Sequence, residues 1–188
     1  MNKKASLLLD WAACAPFGPV VEVGCLRSLS EIPTDGHSTL YLSRHCVTKG
    51  LPFYSCDTEL TAVSIANQVL WQAGLAPIVI CANGLEILER FHNIAFLYLD
   101  GSDEPQDTLL LYAAASIAPQ GIVLVDDVQY YNNNTFGKAS ALIPILEAER
   151  VPYTIFDTEP GYKTLVIRLK YGKPKGTPGA LYTHNQCV

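Results

Sequence analysis

The chain alternates between short apolar runs and longer stretches in which apolar positions recur with helical spacing. A continuous apolar run that ends at a glycine or an acid is typical of a strand buried on both faces. Strands of that kind belong to parallel sheets, and parallel neighbours are joined by helical crossovers. The pattern therefore predicts an α/β domain with its sheet in the interior.

The predicted strands comprise residues 19–24, 53–57, 77–81, 94–99, 122–125, 153–156 and 164–169. A short leading helix precedes them, and the predicted helices between them comprise residues 36–47, 59–73, 85–91, a helix that starts at Pro105, and 138–149. A Glu-Pro-Gly turn at 159–161 predicts an antiparallel pair at the end. The expected fold is a Rossmann-like three-layer sandwich: a mostly parallel seven-stranded sheet with an antiparallel C-terminal hairpin.

Length and composition favour one domain, 1–170, followed by a C-terminal tail or arm at 171–188 that has no periodicity. The net charge of −5, with no basic run outside Lys170–Lys175, disfavours nucleic acid and favours a small-molecule partner. The six cysteines lack metal-ligand spacing, so a reduced, cytoplasmic setting is the simpler interpretation. No run has the length of a membrane span, and a homo-oligomer is possible.

Three acids follow two of the predicted strands. Asp100 comes directly after 94–99, and Asp126 and Asp127 come after 122–125. If these strands are neighbours, their ends lie about 4.8 Å apart and the carboxylates meet at the edge where open α/β sheets bind ligands. Such a cluster of negative charge requires a positive partner, and this points to a functional site.

Over 20–169 the pattern resembles the class I S-adenosylmethionine-dependent methyltransferase fold. Glu22-Val23-Gly24 is similar to the first motif of that family, in which a glycine lets the backbone approach the cofactor. Gly36-His37-Ser38-Thr39 resembles the end of that motif, and Ser38 is expected to cap the helix and bind the methionine carboxylate.

The same resemblance implies roles for residues after the later strands. Asp57 matches the acid that holds the ribose hydroxyls, and Asn83-Gly84-Leu85 lies where the family contacts adenine. Asp100 is assigned to the cofactor as well as to the acidic cluster. The implied cofactor is S-adenosylmethionine.

The acidic cluster narrows the resemblance to the metal-dependent O-methyltransferases, both catechol-type and sugar-type. In such enzymes the acids that match Asp100, Asp126 and Asp127 hold Mg²⁺, which orients vicinal hydroxyls and lowers the pKa of the attacking one. The resemblance thus implies Mg²⁺-assisted O-methylation of a small hydroxylated acceptor. Asp103 is the candidate base, although the catechol type has Lys there, and His37 is the alternative.

Other interpretations remain open. The enzyme could be a metal-independent methyltransferase whose acids only shape the pocket, or a non-catalytic cofactor-binding domain of the same fold. Acids at strand ends also cap helices and turns, which is a plain alternative for Asp127 and Asp103. An NAD-binding domain is disfavoured because the G-x-G-x-x-G fingerprint is absent. The polar, aromatic loop 130–134 either lines the acceptor pocket or is a surface loop.

Overall fold

The computed structural model describes residues 3–28, 37–131, 134–159 and 162–176. The helices are α1 (Lys3–Cys14), α2 (Ser38–Lys49), α3 (Leu60–Gln72), α4 (Gly84–Leu88), α5 (Pro105–Ala114) and α6 (Ile143–Ala148). The strands are β1 (Val20–Val23), β2 (Phe53–Asp57), β3 (Val79–Cys81), β4 (Ile94–Leu99), β5 (Ile117–Val125), β6 (Val128–Tyr131), β7 (Asn134–Gly137), β8 (Tyr153–Glu159) and β9 (Tyr162–Leu169).

Seven of these strands form one sheet in the order β3-β2-β1-β4-β5-β9-β8. Strands β1 to β5 pair in parallel, and β9 runs antiparallel to both β5 and β8. The predicted fold class, with its antiparallel C-terminal hairpin, is confirmed. Val23 pairs with Leu99, and Leu99 pairs with Val125, so the carboxyl ends of β1, β4 and β5 lie side by side.

The sheet is covered on both faces because its strands are apolar at successive positions. Every residue of β4 is buried. On one face, Leu97 packs in a cluster that includes residues of α4, α5 and α6. On the other face, Phe96 packs with residues of α1 and α2. This gives the three layers expected of a sheet whose strands are buried on both sides.

Three local predictions differ clearly from the structure. Strand β5, predicted at 122–125, begins already at Ile117. The helix predicted at 138–149 begins only at Ile143, because residues 138–142 form turns and Pro144 lies in the first turn of α6. The segment after β5, predicted as a loop, contains the small antiparallel hairpin of β6 and β7.

The free edge of the sheet at β3 is covered by a side chain. Asn67 of α3 donates from Nδ2 to the carbonyl of Val79, and its Oδ1 accepts from the Val79 N–H, both at 2.9 Å. The amide therefore makes the pair of bonds that a further strand would make at this position.

The first residues of the predicted tail lie against the domain. Lys173 forms a β-bridge with Ile117, and its ammonium donates to the carbonyls of Ala113 and Ala115 at the end of α5. These bonds satisfy carbonyls that a helix end leaves without partners. Residues 177–188 lie outside the described part of the chain. Among the helices that the structure describes, none is long and apolar enough to cross a membrane.

Candidate functional site

A cleft of about 400 Å³ opens at the carboxyl ends of the parallel strands. Its lining includes five of the residues predicted to bind the cofactor: Gly24, Asp57, Asn83, Gly84 and Leu85. They lie at or shortly after the carboxyl ends of β1, β2 and β3, which parallel pairing brings to one edge. This is the edge at which open α/β sheets bind ligands.

Gly24 has a structural role at the base of the cleft. Its φ is +92°, and a Cβ placed on it would lie 2.5 Å from the carbonyl carbon of Asp100 and from the amide nitrogen of Gly101. The loop after β1 therefore lies directly on the peptide that follows β4. Only glycine permits both this backbone conformation and this approach.

Asp57 is fixed at the end of β2 by backbone donors. Its Oδ2 accepts from the N–H of Cys25 at 3.1 Å, and its Oδ1 accepts from the N–H of Glu59 at 2.9 Å. The Nε of Arg27 lies 3.8 Å from Oδ2, and the same guanidinium donates to the carbonyl of Gly101. The carboxylate is thus held in one orientation in the cleft wall.

The loop after β3 is also well ordered by local bonds. Asn83 caps α4, with its Oδ1 accepting from the N–H of Leu85 at 2.9 Å. A Cβ on Gly84 would lie 2.5 Å from Cγ1 of Val23. Close packing against β1 therefore requires a small residue here and places the start of α4 in the cleft wall.

Glu22 directly precedes the cleft residue Val23, is fully buried and is not among the residues that line the cleft. The Ser55 hydroxyl donates to its Oε2 at 2.6 Å, whereas within the described residues Oε1 has no hydrogen-bond partner. Burial raises the pKa of this carboxyl to about 7, against the opposing effect of the nearby Ser38, Ser55 and Thr39 hydroxyls. Glu22 is therefore held partly protonated near neutral pH.

The start of α2 corrects one prediction. The helix begins at Ser38 and its N-cap is His37, whose carbonyl accepts from the N–H of Tyr41, with no side-chain cap bond. Ser38 therefore does not cap the helix, because it is already the first helical residue and its hydroxyl lies near Glu22. His37 is buried beside the Tyr41 ring. Gly36 lies outside the described residues.

The raised pKa of Glu22 predicts a specific dependence of stability on pH. The folded state binds this proton more tightly than the unfolded chain, so its stabilising contribution is present below pH 4.5 and is lost as pH rises through about 7. When the pH is raised from 5 to 8, the free energy of unfolding of the wild type should fall as this contribution is lost. In Glu22→Gln that fall should be about 2 kcal/mol smaller. Urea denaturation at both pH values measures this difference.

The exposed Glu89 provides the matched control for that experiment. Glu89→Gln also removes one carboxylate but should keep the pH dependence of the wild type. If the stability of Glu22→Gln and that of Glu89→Gln depended on pH in the same way, the raised pKa of Glu22 would be contradicted.

The three acids of the predicted cluster do meet. Asp100, Asp126 and Asp127 each offer an oxygen, and these atoms lie within 4.8 Å of one another. The backbone of Asp127 has φ +52°, in the left-handed region that a few Asp residues adopt. The structure thus confirms that the ends of β4 and β5 are neighbours, which was the premise for predicting the cluster.

Two lysine ammoniums lie among these acids. The Nζ of Lys138 is 2.6 Å from Oδ1 of Asp100 and 3.3 Å from Oδ2 of Asp127, and Lys4 of α1 forms an ion pair with Asp126. The side chain of Lys138 is only 5% exposed. The positive partner that the cluster requires is therefore supplied by the chain itself.

Asp126 has few free acceptor positions. The Tyr98 hydroxyl donates to its Oδ2 at 2.8 Å, and the Thr164 hydroxyl donates to its Oδ1 at 2.9 Å. Since Lys4 also contacts Oδ2, both carboxylate oxygens are engaged. This carboxylate acts as a buried link between β4, β5, β9 and α1.

The ionisation of the cluster is set by burial and by these charges. Burial, together with repulsion from Asp126, raises the pKa of Asp100 to about 6, although Lys138 and Lys4 oppose the shift. Burial alone would lower the pKa of Lys138, but attraction to Asp100, Asp127 and Asp126 outweighs it, so that its pKa is raised. Lys138 is therefore a cation at neutral pH.

The oxygen donors of this cluster do not fit Mg²⁺ as they are arranged. A magnesium ion requires six oxygens in near-octahedral geometry, whereas an ammonium already contacts one carboxylate oxygen of each acid, Lys138 at Asp100 and Asp127 and Lys4 at Asp126. The Mg²⁺ site inferred from Asp100, Asp126 and Asp127 stays a prediction. Asp103, the predicted base, is 93% exposed, with Oδ1 3.7 Å from the Lys138 ammonium.

The sequence interpretation missed several polar residues of the site. Lys138 and Lys4 lie in the acidic cluster, and the cleft wall also includes Arg27, Thr58, Glu59, Ser102 and Asp107. One signal was available, since Lys138 is the single lysine between Lys49 and Lys163. An isolated cation just after an acidic strand end is a candidate partner for those acids.

Comparisons with solved structures identify the fold. The O-methyltransferase from Bacillus cereus in complex with SAH superposes with a TM-score of 0.62 at 17% identity, over 89% of this chain and 81% of that chain. A methyltransferase from Geobacter sulfurreducens gives 0.62 at 19% identity, over 90% and 79%. The chain therefore has the class I methyltransferase fold that the sequence resembles.

Proteins with this fold have more than one activity. An rRNA methylase from Streptococcus thermophilus gives a TM-score of 0.58 at 14% identity, over 88% of this chain and 94% of that chain. The fold alone therefore does not decide between a small molecule and a nucleic acid as acceptor. No family model and no curated protein matches the sequence.

Proposed function

We propose that this chain is an S-adenosylmethionine-dependent methyltransferase that methylates an oxygen of a small hydroxylated acceptor. The observation that carries this proposal is the cleft, which joins the loops after β1, β2 and β3 on a methyltransferase fold. Its volume of about 400 Å³ lies in the range of small-molecule sites.

The residues of the cleft suit the parts of this cofactor. Asp57 is oriented to accept hydrogen bonds from ribose hydroxyls, and the segment 83–85 lies where adenine would be held. Glu22 and Ser38, which is the first residue of α2, are assigned to the methionine end of the cofactor. The buried Oε1 of Glu22, which lacks a partner among the described residues, is an acceptor that a cofactor amine could satisfy.

When bound, this cofactor supplies a methyl group activated by a sulfonium. The protein has to hold the acceptor oxygen in line with that methyl group and to exclude water. Asp103 and His37 stay the candidate bases. Mg²⁺ assistance and the metal-independent alternative remain two forms of this proposal, and the ion pairs of Lys138 favour the second.

Cofactor binding is the first test. Calorimetric titration with S-adenosylhomocysteine should show binding to the wild type that weakens by about tenfold or more in Asp57→Asn, because a charged acceptor for two hydroxyls is lost. Asp157→Asn, at an exposed acid that pairs with Lys163, should bind like the wild type. Absence of binding to the wild type would contradict the proposed function.

A non-catalytic cofactor-binding domain is the second candidate. It is favoured by the exposure of Asp103, because a base at 93% exposure is not shielded from water. Methyl transfer assayed with labelled cofactor on phenols, vicinal diols and structured RNA separates the possibilities. Cofactor binding without turnover on any of them would support the non-catalytic domain, and turnover on RNA alone would contradict a small-molecule acceptor.

A further inference from the structure

We propose that Lys138 takes the place of a divalent cation in the acidic cluster and excludes Mg²⁺ from it. Its ammonium is the charge that holds Asp100 and Asp127 together, so the site is complete without a metal ion. The cluster adjoins the cleft of the proposed function, because Asp100 directly precedes the cleft residue Gly101. The inference depends only on the cluster and not on methyl transfer.

The contacts of the ammonium support this assignment. Its Nζ lies 2.6 Å from Oδ1 of Asp100, 3.3 Å from the main-chain carbonyl of Asp100, and 3.3 Å from Oδ2 of Asp127. An ammonium has three hydrogens to donate, and these three oxygens can accept all of them. Lys138 therefore lies where the strand ends converge, in the position that a bridging cation would occupy.

The main chain holds Lys138 in that position. The residue follows β7 directly, and Ala139 and Leu142 in the same turn segment are fully buried in the core cluster that includes α6. The aliphatic part of the lysine is enclosed as well, since its side chain is 5% exposed. Moving the ammonium away from the cluster would disturb this enclosed aliphatic part.

The charge balance leads to the same conclusion. Three carboxylates and the two ammoniums of Lys138 and Lys4 give a local net charge of −1. A divalent ion added to this set would lie beside a fixed ammonium and would be repelled by it. In addition, the oxygens of Asp126 already accept hydrogen bonds from the hydroxyls of Tyr98 and Thr164.

The test is a gain of metal binding. Mn²⁺, titrated by electron paramagnetic resonance of the free ion, should not bind the wild-type cluster below about 1 mM. Lys138→Met keeps an unbranched side chain that is one atom shorter but removes the ammonium, so this variant should bind Mn²⁺ at least about 100-fold more tightly. Lys49→Met, at an exposed lysine of α2, should behave like the wild type.

Two results would overturn the proposal. One is Mn²⁺ binding to the wild type at micromolar concentration that Asp127→Asn abolishes. The other is Mn²⁺ binding to Lys138→Met that is no tighter than binding to the wild type.

Thermal unfolding covers the case in which Lys138→Met does not fold by itself. Mn²⁺ should then raise its melting temperature or restore its folding, and should do the same for Lys138→Gln, while leaving the wild type unchanged. Failure of Mn²⁺ to stabilise either variant would contradict the proposal. Because no measurement here uses the methyl donor, these outcomes stand apart from those of the calorimetric titration with S-adenosylhomocysteine.

Discussion

Gly24→Ala is expected to lower the free energy of unfolding by about 3 kcal/mol. A left-handed backbone costs a non-glycine residue about 1–2 kcal/mol, and forcing extra volume into a packed region costs about 1–3 kcal/mol. Both apply at Gly24, where φ is +92° and the added Cβ would lie 2.5 Å from the Asp100 carbonyl carbon. Urea denaturation followed by circular dichroism measures the loss.

Gly74→Ala is the matched control. Gly74 also has a positive φ, +73°, but a Cβ there meets nothing within 4 Å. This variant should therefore lose only about 1 kcal/mol, from the backbone conformation alone. Equal losses in the two variants would contradict the close approach of Gly24 to the peptide after β4.

Asp126→Asn is expected to cost about 3 kcal/mol of folding free energy, in the range found when one partner of a buried ion pair is removed. The substitution leaves the Lys4 ammonium without its counter-charge, and the amide cannot accept at both positions from the Tyr98 and Thr164 hydroxyls. Chemical denaturation at pH 7 provides the measurement.

Asp127→Asn tests the same chemistry at the neighbouring position. The side chain of Asp127 is 31% exposed and pairs with Lys138 at 3.3 Å, so solvent can compensate part of the loss. A destabilisation of about 1 kcal/mol or less is expected. If Asp127→Asn were the more damaging of the two, the assignment of Asp126 as the buried link would be wrong.

These expectations affect how activity data should be interpreted. Loss of turnover in a variant of Asp126 would not identify a metal ligand, because the same change weakens the contacts between β5, β9 and α1. Asp127→Asn separates the two effects better, since its expected effect on folding is small. Stability should therefore be measured before activity is assigned to a metal.

The sequence was sufficient for the sheet because its strands are short apolar runs with sharp polar ends. The predicted bounds 53–57 and 94–99 match β2 and β4, and the strand ends were enough to bring Asp100, Asp126 and Asp127 together. The alternation of strands and helices along the chain predicts a parallel sheet. In such a sheet the carboxyl ends of neighbouring strands lie side by side, so contacts between residues at those ends can be predicted.

The partners of those acids could not be predicted in the same way. Lys4 is in the leading helix and Lys138 is in a turn after the β6–β7 hairpin, and no periodic pattern places either beside the cluster. The cap role predicted for Ser38 was wrong because helix starts are uncertain by a residue or two, and one residue decides whether a hydroxyl caps the helix or lies near Glu22.

The amide of Asn67 has a consequence for self-association. An exposed strand edge is a template on which another copy of a protein can add a strand, and such additions can continue into aggregates. At β3 the outward N–H and carbonyl of Val79 are already bonded by a side chain of the same molecule. As long as α3 stays folded against this edge, Val79 offers no free backbone pair to a second copy, so partial unfolding of α3 is a route to aggregation.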